Sequence, residues 1–189
     1  MVATLLEAAT RVFVKEGYAK ATTNKIAAAA GVSVGSLYQY FPSKDAIAVE
    51  LLRRYREGLI ERITAGLAQV TAQSFESVVH ALLSELLKAE GINPALHRVL
   101  IEQVLRTTAR KEMLGFEERL EAALSQAMRA AKIPLEDLEL AAFVLVRVVL
   151  SVVQSVVVDR PRYKTPALAD ELTHLVVGYL ARPRVGLRS

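Results

Sequence analysis

The segment from Thr22 to Lys44, TTNKIAAAAGVSVGSLYQYFPSK, constrains this chain more than any other, because its apolar and turn residues fall at the offsets of two short helices joined by a tight corner. With Thr23 as the first helical residue, Ile26, Ala27 and Ala30 share one face. Gly31 stands where the chain has to turn, and glycine takes a positive φ without steric cost. Val32 fills the corner and Ser33 is placed to cap a second helix. Leu37 and Phe41, at i and i+4, pack that helix against the first.

Once Leu37 and Phe41 face inward, helical geometry turns Gly35, Tyr38 and Gln39 outward, with Ser36 and Tyr40 on the flanks. Such a face suits a DNA groove. Glycine admits close approach, a glutamine amide can bond an adenine edge, and tyrosine offers a ring for a thymine methyl and a hydroxyl for phosphate. Lys25 and Lys44 add charge at the margins, and no acidic residue lies between them. The competing reading is an ordinary helical hairpin with small alanines for close packing and half-buried tyrosines. That reading does not require glycine, alanine and apolar residues at every one of these offsets.

Further residues extend the pattern on either side: Leu5-Leu6-x-Ala8-Ala9-x-x-Val12-Phe13-x-x-x-Gly17, then Thr22-Thr23-x-x-Ile26-Ala27, Gly31-Val32-Ser33, and Leu37-Tyr38-x-Tyr40-Phe41-x-Ser43-Lys44. Over about its first third the chain resembles the DNA-binding domain of the tetracycline-repressor (TetR) family. The resemblance implies that Thr22 and Thr23 cap the first reading helix and touch phosphate. It implies that Tyr38 and Tyr40 contact the DNA backbone and a base methyl, and that Lys44 grips phosphate at the start of a fourth helix. Ser33, Val34, Gly35, Ser36 and Gln39 complete the expected contact set with Lys25. Two departures stand out: Val34 occupies a position that is often basic or polar in the family, and the first helix commonly begins earlier, with basic residues. Here Thr4 and Glu7 have the spacing of a capping box, so the helix is expected to start there, without an arm for the minor groove.

The 189 residues are 52% hydrophobic, enough for a sizeable core. A formal charge of +4 is compatible with nucleic acid without requiring it. The chain has no cysteine, which removes disulfides, thiolate nucleophiles and zinc-thiolate sites, and it carries no recognisable signal peptide. A cytoplasmic protein is expected. The one stretch long enough to span a membrane, 138–158, carries Arg147, Ser151, Gln154 and Ser155 as a polar stripe. It therefore reads as a buried helix.

Periodicity is helical throughout, which predicts an all-α fold of about nine helices: a helix-turn-helix head at 1–45 and a helical ligand-binding and dimerisation body at 46–189. A long helix from Lys44 to about Val70 joins them and is placed to pass movement of the body to the head. Body helices are expected near 75–89, 94–109, 111–131, 135–158 and 166–182. Gly91-Ile92-Asn93-Pro94, Ile133-Pro134 and Asp159-Arg160-Pro161 supply the breaks, each proline opening the next helix.

The last two helices carry more apolar surface than a small body needs. Val148, Val152 and Val156 on one, with Leu168, Leu172, Leu175, Val176 and Tyr179 on the other, form the expected homodimer interface, a four-helix bundle across a twofold axis. A dimer also doubles the few base pairs that one reading helix can contact, which implies a pseudo-palindromic operator.

The resemblance implies a small-molecule effector bound in the body, largely apolar in character. Gln103, Thr107, Arg147 and Gln154, polar residues among apolar ones, are the pocket candidates, with Phe116 and Phe143 as walls. Each also has a plain structural reading: Arg147 beside a glutamate such as Glu102 or Glu121, Gln154 across a dimer, the phenylalanines as core. Arg98, Glu102 and Arg106 read as a solvated row. His80, His97 and His174 lie on separate helices without metal-pair spacing, and no phosphate loop or nucleophile elbow is present. Neither an enzyme nor a cofactor is expected. The leading expectation is a ligand-responsive, dimeric DNA-binding regulator, most simply a repressor. The alternative is a helical small-molecule or protein-binding module that does not recognise an operator.

Overall fold

The computed structural model describes residues 1–88, 110–158 and 160–181. Among these the fold is all-α, with eight α-helices and one short 3-10 turn. They are α1 (Val2–Glu16), α2 (Thr23–Ala30), α3 (Val34–Tyr38), α4 (Lys44–Leu67), α5 (Phe75–Lys88), α6 (Arg110–Ala130), α7 (Leu138–Val158), the 3-10 turn Pro161–Tyr163, and α8 (Pro166–Leu180). The expected helix at 94–109 lies outside the described residues, as do Arg98, Glu102, Gln103, Arg106 and Thr107. The chain divides into two compact units, one holding Met1–Gly58 and a second beginning at Leu59.

In the first unit, Leu5, Leu6, Ala8, Ala9, Val12 and Phe13 bury one face of α1. Ile26, Ala27, Leu37, Phe41, Ile47, Ala48 and Leu52 complete the same small core. The expected start of α1 is corrected: the helix begins at Val2 with Met1 at its cap, so Thr4 lies inside it and Thr4 and Glu7 do not form a capping box. Leu5 N–H already donates to the Met1 carbonyl at 3.0 Å, so the helical ladder is running before Thr4 could cap it.

The second unit is built on α5 to α8 and the last turns of α4. One core cluster centres on Ile60, Leu120 and Val146, with Ile63, Phe116, Leu124 and Leu150 packed against it. Gly66 lets α4 and α5 approach closely, since a Cβ there would lie 2.8 Å from a methyl of Leu82. Helix α6 ends on a Schellman cap in which Lys132 takes the left-handed conformation (φ 57°), while Ile133 N–H donates to the Met128 carbonyl at 3.0 Å.

Helix α7 starts three residues later than expected, and Pro134 does not open it. Asp137 caps it instead, its carboxylate accepting from Leu140 N–H at 2.8 Å, because an aspartate side chain satisfies an orphan amide that proline cannot. Pro161 likewise opens only the 3-10 turn, and Pro166 takes the first position of α8. By length and composition α7 is apolar enough to cross a membrane. Its middle, however, carries Arg147 ion-paired to Glu117 and Glu121 of α6. Ala141, Ala142, Leu145, Val146, Val153 and Val156 are buried in the unit's own core.

Candidate nucleic-acid interface

The corner between α2 and α3 is built as the residue types require. Thr22 caps α2, its hydroxyl accepting from Lys25 N–H at 3.3 Å. Gly31 ends the helix at φ 71°, where an L side chain would be strained. Its N–H donates to the Ala28 carbonyl at 3.1 Å while Val32 N–H donates to that of Ala27 at 3.0 Å, the paired bonds of a Schellman motif. Ser33 caps α3 through Ser36 N–H at 3.0 Å, and the two hydroxyls sit 2.9 Å apart.

With Leu37 fully buried and Phe41 nearly so, Gly35, Tyr38, Gln39 and Tyr40 are exposed and Val34 and Ser36 are half-buried. Tyr38 and Tyr40 are 51% and 47% exposed, a large apolar area to leave in water unless something covers it. The Tyr38 hydroxyl lies 3.1 Å from the Thr23 hydroxyl, so the first residue of α2 fixes the ring that α3 presents. Gly35 has no internal reason to be glycine: a Cβ there would meet only the Ser33 hydroxyl, at 3.8 Å. Its cost to a helix is about 1 kcal/mol relative to alanine, and no contact within the unit offsets it.

The two marginal lysines are engaged within the unit. Lys25 pairs with the Glu16 carboxylate and donates to the Lys20 carbonyl at 3.0 Å. Lys44 donates to the Tyr18 carbonyl at 2.9 Å and lies over the Tyr18 ring, 4.3 Å from its centroid. The Tyr18 hydroxyl donates to Asp45, and its ring packs on Phe13 at 5.4 Å. Tyr18 therefore ties the loop after α1 to the first turn of α4. Sequence reading missed this hub, since its partners stand 26 and 27 residues away.

The residues proposed for the body fall in different places. Phe116 is packed against core, while Phe143 and Gln154 are exposed. Arg147 stacks on the Phe143 ring at 5.1 Å and pairs with Glu117 and Glu121, leaving its Nε buried without a partner. None of the four lines the apolar pocket of about 90 Å³ in the second unit, which is lined by leucines, valines and an isoleucine of α4 to α8, among them Leu83, Leu120, Leu145 and Val176. Among the described residues no group of three His, Cys, Asp or Glu is arranged to hold a metal.

Of the expected dimer residues, Leu172, Val176 and Val156 are buried within the chain itself. On α8 the inward stripe is Ala169, Leu172, Thr173, Val176 and Leu180, one helical row away from the outward Leu168, Leu175 and Tyr179. Leu175 is exposed; Leu168, Tyr179, Val148 and Val152 are half-buried; Leu140 and Phe143 are further exposed apolar residues on α7.

A capped helix, a left-handed glycine corner and a second helix with an acid-free outer face define a helix-turn-helix unit of the DNA-binding class. Residues 5–51 match the family model of the bacterial regulatory proteins of the tetR family, and residues 74–180 match a tetracyclin repressor-like C-terminal domain. The chain belongs to the TetR family. It is similar to the nucleoid occlusion factor SlmA of Glaesserella parasuis serovar 5 (strain SH0165), 35% identical over 48% of this chain and 44% of the relative. The SlmA of Vibrio campbellii (strain ATCC BAA-1116) is 33% identical over 69% and 70%. The chain spans about half the length of the first curated relatives that it matches. Solved structures share its fold, FadR and SmeT among them. The fatty acid degradation regulator FadR of Bacillus halodurans aligns with TM-score 0.70 at 23% identity, covering 96% of this chain and 97% of the other. SmeT, the repressor of the Stenotrophomonas maltophilia multidrug efflux pump SmeDEF, aligns with TM-score 0.70 at 21% identity, covering 95% and 89%.

Proposed function

We propose that this chain is a ligand-responsive transcriptional repressor acting in the bacterial cytoplasm, which binds a pseudo-palindromic operator as a homodimer. Residues 1–45 form the reading head and 46–189 the effector and dimerisation body. The observation that carries the reading is the outward face of Gly35, Tyr38, Gln39 and Tyr40 beside a corner whose every cap is made. The contact set also includes Thr22, Thr23, Lys25, Ser33, Val34, Ser36 and Lys44, with Lys25 and Lys44 exchanging their internal partners for phosphate on binding.

The apolar cavity supports a largely apolar effector. At about 90 Å³ it is well below the roughly 300–1,000 Å³ of a drug-sized site, so a ligand of that size would seat fully only by parting the helices that line it. That is how binding would couple to the head: a ligand shifts the balance of two forms by its difference in affinity for them. FadR from Bacillus subtilis, similar in fold at 22% identity, was solved in complex with stearoyl-CoA, so long acyl chains are the first ligands to try. The relatives' name, nucleoid occlusion factor, supports a second reading, in which the DNA-bound chain serves nucleoid occlusion and is not a ligand-released repressor.

The test is selection of bound fragments from random DNA at physiological salt, followed by thermal-shift and release assays with acyl compounds on the recovered operator. An inverted repeat released by an apolar ligand supports the repressor. An inverted repeat that no ligand releases supports the second reading, and retention of no preferred sequence overturns both.

A further inference from the structure

The groove-facing chemistry of α3 is neutral throughout, and that restricts the bases it can read. Guanine shows two acceptors to the major groove, best met by the fork of arginine or by lysine; cytosine shows a donor, best met by a carboxylate. Between Lys25 and Lys44 the chain has no arginine, lysine, aspartate or glutamate. The two flanking ammonium groups are held in the free chain by Glu16 and the Lys20 carbonyl and by Tyr18, and on DNA they are assigned to phosphate and not to base edges. The hydroxyls of Ser33 and Ser36 close on each other and on the helix cap.

What remains for the base edges is Val34, Tyr38 and Gln39, with the neutral Tyr40 on the flank. Each suits an A·T pair: a glutamine amide takes adenine N6 and N7 together, while valine methyls and a tyrosine ring pack on the C5-methyl of thymine. The Thr23 hydroxyl already fixes the Tyr38 ring, so that contact needs little reordering on binding. We propose that α3 reads its half-site through A·T pairs, with adenine bonded by Gln39 and thymine methyls packed against Val34 and Tyr38. The inference rests on the operator-binding reading and adds the base composition of the operator to it.

Deoxyuridine pairs as thymine does and lacks only the methyl, so it isolates the contact. The test takes the operator recovered from random DNA, replaces each thymine in turn by deoxyuridine, and measures the Kd of the full chain at physiological salt. At least one position in each half-site should weaken binding by roughly fourfold, the worth of one buried methyl. Val34→Ala should abolish the difference between thymine and deoxyuridine at one such position. Gln39→Ala should relax the preference for one adenine without changing the methyl response. The deoxyuridine scan uses the unaltered protein, so it stands even where a variant folds poorly. An inverted repeat indifferent to deoxyuridine at every position, or one whose contacted positions are G·C, overturns the inference and leaves operator binding intact. Recovery of no preferred sequence removes the operator-binding reading, and this inference falls with it.

Discussion

Glycine 35 and lysine 44 show how far one residue's surroundings can decide its role. Because a Cβ at position 35 meets nothing closer than 3.8 Å, Gly35→Ala should raise the melting temperature, the gain being up to about 1 kcal/mol. The same substitution should weaken operator binding several-fold if DNA backbone approaches that position, and thermal melts paired with binding isotherms read the two effects separately. Equal affinity would mean that the glycine serves neither fold nor groove. Lys44 was expected from the resemblance to grip phosphate, yet in the free protein its ammonium is spent on the Tyr18 carbonyl and ring. Lys44→Ala should therefore lower stability as well as affinity. If the ammonium does move to phosphate, the variant should weaken specific and random DNA alike and reduce the salt slope by about one. Unchanged salt dependence with lowered stability would leave Lys44 as a strut alone.

Elements differ in how much of them the sequence makes plain. The α2–α3 corner was legible because its determinants are local: a left-handed glycine, a capping serine and apolar residues at i and i+4 act within one or two turns. The starts of α1 and α7 were not, since Leu5 and Leu6 are fixed by tertiary burial, and Asp137 competes with the neighbouring Pro134 for the same role. The cavity escaped notice for a similar reason: among the described residues its wall is ordinary leucine, valine and isoleucine gathered from separate helices, with no polar residue to mark it. Helix α4 adds an electrostatic feature that spacing does hint at. Arg53 bonds both oxygens of Glu50 at 2.7 and 2.8 Å, and Arg54 bonds one of them at 2.7 Å. The Arg53 bonds chiefly, against the cost of burial, hold the Glu50 carboxyl down from 4.5 to about 2. A carboxylate depressed on folding stabilises the folded state above its unfolded pKa, and loses that contribution as pH falls through the folded value. The stabilisation is thus complete above about pH 4.5 and disappears toward pH 2. The arginines are more than two-fifths exposed, so solvent screening limits it to about 1 kcal/mol. Melting temperatures of the unaltered chain and of Glu50→Gln should differ at pH 6 and converge by pH 2; a constant difference would show the pair to be inert.

At the scale of the whole molecule the deciding question is what covers the outer faces of α7 and α8. Amphipathic periodicity tells that a helix has an apolar stripe, but it does not tell which of two adjacent rows faces its own chain. On α8, Leu172 and Val176 went inward and Leu175 outward, although the sequence offered all three as one stripe. The single chain leaves Leu175 43% exposed, Phe143 46% and Leu140 57% exposed. Exposed apolar side chains gathered on two helices are the usual mark of an association surface. A charge at an inward position would ruin the core, so Val176→Asp tests folding and nothing else. A charge at Leu175 leaves the isolated chain's core untouched and has a specific consequence if a twofold partner packs there, because two unpaired carboxylates are then buried near one axis. An unpaired buried charge costs on the order of 3–5 kcal/mol, which weakens association by roughly 10²–10⁴-fold. Sedimentation of Leu175→Asp at micromolar concentration should give a folded monomer where the unaltered chain gives a dimer. Its operator affinity should drop to that of one reading head on one half-site. A stable Leu175→Asp dimer would move the interface away from the outer row of α8, and the half-site spacing of the operator would then have to be explained by a different pairing of heads.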